Sequence, residues 1–232
     1  MSHALVDAGS FRDPSGRIYD LNGEIYRTVL NKAVAEFNHV RDSGLAAKLM
    51  SKGKLVATEE VKNSTLKKAG ILAPMVLRHA RIPFVSYPYE WSFPLLKAAA
   101  LLHLDVQIEA LRAGVSLSDS TAYNVQFDGP NPVFIDVLSF RQYRDGEIWA
   151  GHRQFCEQFL NPLLLRAYFG IPHNAWFRGN LEGIETAMLA RMMPWWRNFS
   201  FNVLSHVTMQ ANFQAGAMAN NAKGIAKAKT VK

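Results

Sequence analysis

Asp119, Asn124 and Asp136 are the side chains of this 232-residue chain whose types and spacing best fit a chemical task. Asn124 follows Asp119 by five positions. Asp136 follows Asn124 by twelve, inside the apolar run Val133-Phe134-Ile135-Asp136-Val137-Leu138. Phosphoryl transfer asks for little more from a protein: one carboxylate to orient a hydroxyl, and an amide oxygen with a second carboxylate to hold Mg²⁺. An aspartate between Ile135 and Val137 is costly to bury without a cation or hydrogen-bond donors. The set therefore predicts Asp119 as catalytic carboxylate, and Asn124 and Asp136 as ligands of a Mg²⁺ carried with ATP. The competing reading of Asp136 is a structural aspartate satisfied by backbone amides.

Positioning these residues requires a scaffold, and the flanking sequence reads as one. Residues 125–127 and 133–138 are β-prone runs on either side of the turn Asp128-Gly129-Pro130-Asn131-Pro132. Upstream, Pro94 suits the first turn of a helix, and Gly114 is a natural left-handed terminator. Between them Leu95, Ala98, Leu101, Leu102, Val106, Ile108 and Leu111 give residues 95–113 a wide apolar face, as in a central core helix. Near the N-terminus two β-prone runs flank Asn22-Gly23, a hairpin signal. Arg27 falls on the second arm, and Glu36 on the helix expected over residues 32–50 with Asn31 as its cap. An ion pair between Arg27 and Glu36 would leave the arginine steadying nucleotide phosphates, although arginine and lysine are not interchangeable there. Residues 73–77 and 82–87 read as further strands, with Pro83 and Pro88 placing the second at an edge. Helices are expected over residues 154–169, 181–193 and 201–213.

This order predicts an α+β, two-lobed, protein-kinase-like chain. Residues 1–10 are a loose end, 11–86 a small β-containing N-lobe, 87–92 a hinge-like linker, 93–213 a mainly helical C-lobe and 214–232 a disordered basic tail. The linker, Tyr87-Pro88-Tyr89-Glu90-Trp91-Ser92, lies where an adenine would meet backbone groups. One expected companion is missing: no glycine-rich loop is present to cover phosphates, and only Gly16 and Gly23 punctuate the first hairpin.

Composition narrows the alternatives. The chain is 49% apolar and 19% charged, as in an ordinary globular protein. Its net charge of +7 owes four charges to Lys223, Lys227, Lys229 and Lys232, so the body lacks the basic stripe of a nucleic-acid binder. No apolar run approaches the length of a membrane span, and no secretory signal opens the sequence; nucleic acid and membrane are not expected partners, and a cytoplasmic location is. The single cysteine, Cys156, excludes an internal disulfide and reads as a buried structural thiol. The seven histidines are scattered without zinc-ligand spacing. There is neither a Gly-x-Ser-x-Gly elbow nor a Gly-x-Gly-x-x-Gly loop after a strand.

Four longer runs carry a resemblance: Arg81-Ile82-Pro83-Phe84-Val85-Ser86-Tyr87-Pro88-Tyr89-Glu90-Trp91-Ser92-Phe93; Leu101-Leu102-His103-Leu104-Asp105; residues 119–127 with Phe134-Ile135-Asp136-Val137-Leu138-Ser139-Phe140; and Arg153-Gln154-Phe155-Cys156-Glu157-Gln158-Phe159-Leu160-Asn161-Pro162 with the leucines after it. Over about residues 11–210 the chain resembles the N-terminal region of bacterial class I S-adenosylmethionine-dependent methyltransferase family proteins, some labelled nodulation proteins. In that family a separate methyltransferase domain follows this region; the resemblance implies that the domain is absent from this chain and that S-adenosylmethionine is not bound by this chain alone. Two functions are thus in play. One is a module that binds Mg-nucleotide and transfers phosphate to a small-molecule or protein acceptor. The other is an inactive kinase-like scaffold serving a methyltransferase domain or protein as its partner.

Overall fold

A computed structural model describes residues 5–10 and 13–213; the basic tail lies outside them. The chain divides into two compact units, Met1–His152 and Arg153–Lys232. Both mix helix with short irregular segments, and the strands belong to the first.

The first unit is organised around an antiparallel five-stranded sheet of order β1(Leu5–Val6), β2(Ile18–Leu21), β3(Glu24–Val29), β5(Met75–His79), β4(Thr58–Val61). Leu5–Val6, in the stretch expected to be loose, pairs with β2. The Asn22-Gly23 turn is the hairpin the sequence predicts. Both residues take positive φ (55° and 85°), which matches the twist of the flanking strands, and Asp20 Oδ1 accepts the Gly23 N–H at 3.1 Å. Strand register then sorts the side chains. Tyr19, Leu21, Tyr26 and Val76 point to one face and pack on Leu66 of α3(Ser64–Lys68). Arg27 stands opposite Leu77 and Ile18, and Ile25 opposite His79, so these residues share the other face.

The helix expected over residues 32–50 is two helices. α1(Asn31–Asp42) begins at Asn31, with Leu30 in the cap position, and Gly44 at φ 75° turns the chain into α2(Leu45–Ser51). No strand forms at residues 82–87, where proline withholds ladder donors and the chain instead enters a 3₁₀ turn at Pro88–Glu90. α4(Phe93–Arg112) is the expected core helix, ending before Gly114 at φ 70°. Short strands follow: β6(Val115–Leu117), the hairpin β7(Val125–Asp128) and β8(Asn131–Phe134), and β9(Phe140–Gln142), which pairs antiparallel with β6.

In the second unit α5(His152–Phe155) runs through a π turn at Cys156–Leu160 into α6(Asn161–Phe169). Pro162 has no N–H for the carbonyl four residues back, a sufficient cause for the wider turn. Asn161 Nδ2 donates to Ile184 O at 2.8 Å and Thr186 Oγ1 at 3.0 Å, tying α6 to the start of α8(Thr186–Met192). The helix expected from residue 181 thus begins at Thr186, and α7(Asn174–Gly179) precedes it. Residues 201–213 are helical as expected. Leu165, Ile184, Leu189, Val203 and Val207 form the core. Cys156 is buried, its thiol pushed up to about 11 by burial and then by Glu157. No helix among the described residues is long and apolar enough to cross a membrane.

Candidate functional site

Two antiparallel pairings bring Asp119, Asn124 and Asp136 together. In the first, β6 meets β9 with Leu117 opposite Phe140, and the Ser118 N–H extends the ladder by donating to Ser139 O at 2.8 Å. In the second, β7 meets β8 with Val125 opposite Phe134, and the Ile135 N–H donates to Asn124 O at 2.8 Å. The loop carrying Asp119 and Asn124 is therefore held along the one carrying Asp136. Gln107, buried on α4, fixes this frame from below. Its Oε1 accepts the Leu117 N–H at 2.9 Å and its Nε2 donates to Ser116 Oγ at 3.1 Å. β8 is further tied to the segment before β4, since Val56 N donates to Phe134 O and Phe134 N to Lys54 O, each at 2.9 Å.

Within the frame, Asn124 Nδ2 donates to Asp119 Oδ1 at 2.8 Å. Asp136 Oδ1 accepts the Leu138 N–H at 3.1 Å and Arg27 Nη1 at 2.6 Å. Asp136 is only half-buried, its side chain 24% exposed; the backbone amide and the guanidinium are the donor and the cation that the apolar run called for. Gly151 lets the chain pass directly over Asp119: a Cβ there would lie 2.0 Å from Ser120 Oγ and 3.0 Å from the Asp119 carbonyl carbon.

Arg27 reaches this loop from the centre of the sheet. Its side chain is 7% exposed, and its carboxylate partners are Asp136 and Asp13, the latter at 2.5 Å from Nη2. Burial opposes its charge, but Asp136 and Asp13 outweigh burial and raise its pKa. Its buried Nε–H has no hydrogen-bond partner among the described residues. Glu36, the expected partner, is engaged elsewhere: its Oε2 accepts the Gln142 N–H at 2.8 Å, joining α1 to β9. His79, on the same sheet face as Arg27, lies 2.8 Å from Thr58 Oγ1 through Nδ1. Burial, and secondarily Arg27, hold its pKa down to about 4, so it is neutral at pH 7.

Asp13 was not singled out by the sequence, where it appears only as the first residue of a turn, Asp13-Pro14-Ser15-Gly16. The structure builds that turn against β3. Asp13 Oδ1 accepts the Ser15 N–H at 2.7 Å, the Leu30 N–H donates to Ser15 O at 2.8 Å, and the Thr28 N–H donates to Arg17 O at 3.0 Å. At Gly16 a Cβ would fall 1.9 Å from Thr28 O, so only glycine permits the approach.

The site thus sets two carboxylates on one guanidinium, with a third, Asp119, within electrostatic reach of all of them. Asp119 carries the imbalance. Burial first, then the nearby Asp136 charge, push its carboxyl up to about 6; the Asn124 hydrogen bond opposes this shift, Asp13 adds to it, and Arg27 opposes it more weakly. A group so perturbed at a convergence of polar side chains is a candidate functional residue with a physical cause. In the expected linker, by contrast, the Tyr87 N–H donates to Glu90 Oε2 and the Glu90 N–H to Tyr87 O, each at 2.8 Å. Just before it, the Gln126 carboxamide accepts the Ser86 N–H at 2.9 Å and donates to Ser86 O at 3.0 Å. A separate open cavity of about 530 Å³, lined by Ile25, Met50, Thr58, Arg78, His79 and Arg81 among others, includes none of the three aspartates.

No protein-family model matches the chain. The chain is similar to the nodulation protein NoeA of Rhizobium meliloti (strain 1021), with 45% identity over 208 residues. The match takes in 90% of this chain and 43% of that protein, so the chain spans less than half the length of the curated relative it matches. Among solved structures it is similar to one described as the structure of vaccinia related kinase 3, at 11% identity and a TM-score of 0.39, over 77% of this chain and 71% of that one. A likeness of that degree supports no functional argument.

Proposed function

We propose that the first unit is a kinase-like module whose aspartate cluster binds a Mg-nucleotide and supports phosphate transfer to an acceptor hydroxyl. The observation that carries this reading is the excess of carboxylates at Asp119: Asp13 and Asp136 share a single buried guanidinium, and burial first, then Asp136, hold the Asp119 carboxyl near pH 6. A divalent cation is the simplest group that relieves such an excess of carboxylates. Asn124 and Asp136 would hold Mg²⁺, which supplies neutralisation of phosphate charge when bound. Asp119 would orient the acceptor hydroxyl, and Arg27 would meet phosphate oxygens. Calorimetric titration of Mg·ATP into the wild-type protein and Asp136→Ala tests this. Binding to the wild type that is lost in the variant supports it; equal binding removes Asp136 from the site.

A second reading has its own observation. In the linker Glu90 already engages both backbone groups of Tyr87: its Oε2 accepts the Tyr87 N–H and its own N–H donates to Tyr87 O, each at 2.8 Å. Under this reading the unit is a catalytically silent scaffold for a methyltransferase domain of a longer protein, in keeping with a chain that covers 43% of its nodulation-protein relative. Absence of Mg·ATP binding to the wild-type protein would favour it.

A further inference from the structure

We propose that Arg27 is an oxyanion seat that Asp13 occupies in the ligand-free protein, so that a phosphate-bearing ligand binds by taking the place of the Asp13 carboxylate. This rests on the reading of Arg27 as a phosphate-binding residue and adds to it a residue that governs access.

The geometry separates the two acids on Arg27. Asp136 is built into the frame of the site through the residues around it: the Ile135 N–H donates to Asn124 O and Ser139 O accepts the Ser118 N–H, each at 2.8 Å. Asp13 meets the other terminal nitrogen, Nη2, from a turn outside the sheet, and its side chain is 26% exposed. Exposure decides which partner can move. Arg27, 7% exposed and inside a central strand, cannot leave without carrying a buried charge to the surface, whereas Asp13 can rotate into water. In side-chain anchoring and exposure the two acids are alike, each accepting an N–H two residues on and Asp136 being 24% exposed; what distinguishes Asp13 is its place on a turn outside the sheet. What Asp13 presents to Arg27 is a carboxylate oxygen, the geometry that a phosphate oxygen shares. A second mark points to a ligand here: the Nε–H of Arg27, on the same planar fork, is buried and has no hydrogen-bond partner among the described residues. A phosphate has more acceptor oxygens than the single one Asp13 offers, and so can serve both nitrogens.

The test uses the full chain and metal-free inorganic tripolyphosphate with a chelator present, so that the Asp119–Asn124–Asp136 metal site plays no part in the readout. Asp13→Asn keeps the side-chain shape and the Ser15 contact but removes the competing charge. It should bind tripolyphosphate about ten- to a hundredfold more tightly than the wild type, the scale of one charge-assisted hydrogen bond. The gain should vanish in the double variant Asp13→Asn/Arg27→Gln. Equal affinity of Asp13→Asn and wild type, no binding by either, or a gain that survives Arg27→Gln overturns the proposal. If Asp13→Asn does not fold, arginine side-chain nitrogen resonances of the wild-type protein give the answer. Tripolyphosphate must shift those of Arg27, and their failure to move at saturating ligand overturns it as well. Failure of the metal-nucleotide reading would show separately, as Mg·ATP affinity indifferent to Asp136→Ala.

Discussion

Replacing Asp119 by asparagine should stabilise the protein, and only above the pH at which an ordinary aspartate ionises. In the wild type the Asp119 carboxyl titrates near 6 when folded, against 3.8 for an ordinary aspartate. Below pH 3.8 it is protonated in both states and has no effect. Between about pH 4 and 6 the unfolded chain gives up the proton while the native protein keeps it, so the native state binds more protons and stability falls as pH rises. Above pH 6 the full cost is present. At 1.36 kcal/mol per pH unit of displacement it is about 3 kcal/mol, and since Asp119 is partly solvated the realised figure should be about 2–3 kcal/mol. Asp119→Asn escapes this cost while its Oδ1 can still accept from Asn124 Nδ2. At pH 7 its melting temperature should exceed that of the wild type by between about 4 and 12 °C, at about 2–4 °C per kcal/mol for a chain of this size. At pH 4 the two proteins should melt together. Thermal unfolding by circular dichroism across pH 4–8, with divalent metal chelated, reads this directly. A variant no more stable at pH 7, or equally stabilised at pH 4, would refute the argument that burial and the Asp136 charge make ionised Asp119 costly.

Two glycines give further tests. Gly151→Ala places a methyl against Ser120 Oγ and the Asp119 backbone; it should cost about 1–3 kcal/mol in urea unfolding and weaken Mg·ATP binding, whereas unchanged values in both would show that the contact is soft. Gly183→Ala combines φ +92° with a Cβ 2.3 Å from Glu157 O, where the Ile184 N–H also donates at 2.8 Å. It should cost about 2 kcal/mol or more in urea unfolding, and a loss below about 0.5 kcal/mol would contradict the strain.

What the sequence made legible was local. Asn22-Gly23 specified its hairpin because only residues tolerant of positive φ fit that turn, and Pro94 and Gly114 bracketed the core helix for equally local reasons. Asp119, Asn124 and Asp136 were recognisable because a turn of fixed length returns the chain past its own start. The partners of Arg27 were not. Asp136 is 109 residues away and Asp13 14 residues away, and nothing near Arg27 encodes the β6–β9 pairing that delivers Asp136. Glu36, the nearer candidate on the following helix, instead receives the Gln142 N–H. Strand β4 was hidden by its composition, Thr-Glu-Glu-Val: it is an edge strand whose Glu59 and Glu60 pair with Arg78 and Arg41. Residues 82–87 misled in the opposite sense. Val85 and Tyr87 are β-prone, but Phe84, Val85 and Tyr87 are exposed, and the polar groups of Ser86 are satisfied by Gln126 rather than by a strand.

The most direct test of the metal site is anomalous diffraction from crystals grown with Mn²⁺ and a non-hydrolysable ATP analogue. The account predicts a manganese peak within coordination distance of Asn124 Oδ1 and an Asp136 carboxylate oxygen, with phosphate oxygens at Arg27. An ordered nucleotide whose metal lies away from both residues, or crystals at saturating ligand with no manganese at Asp136, would contradict it.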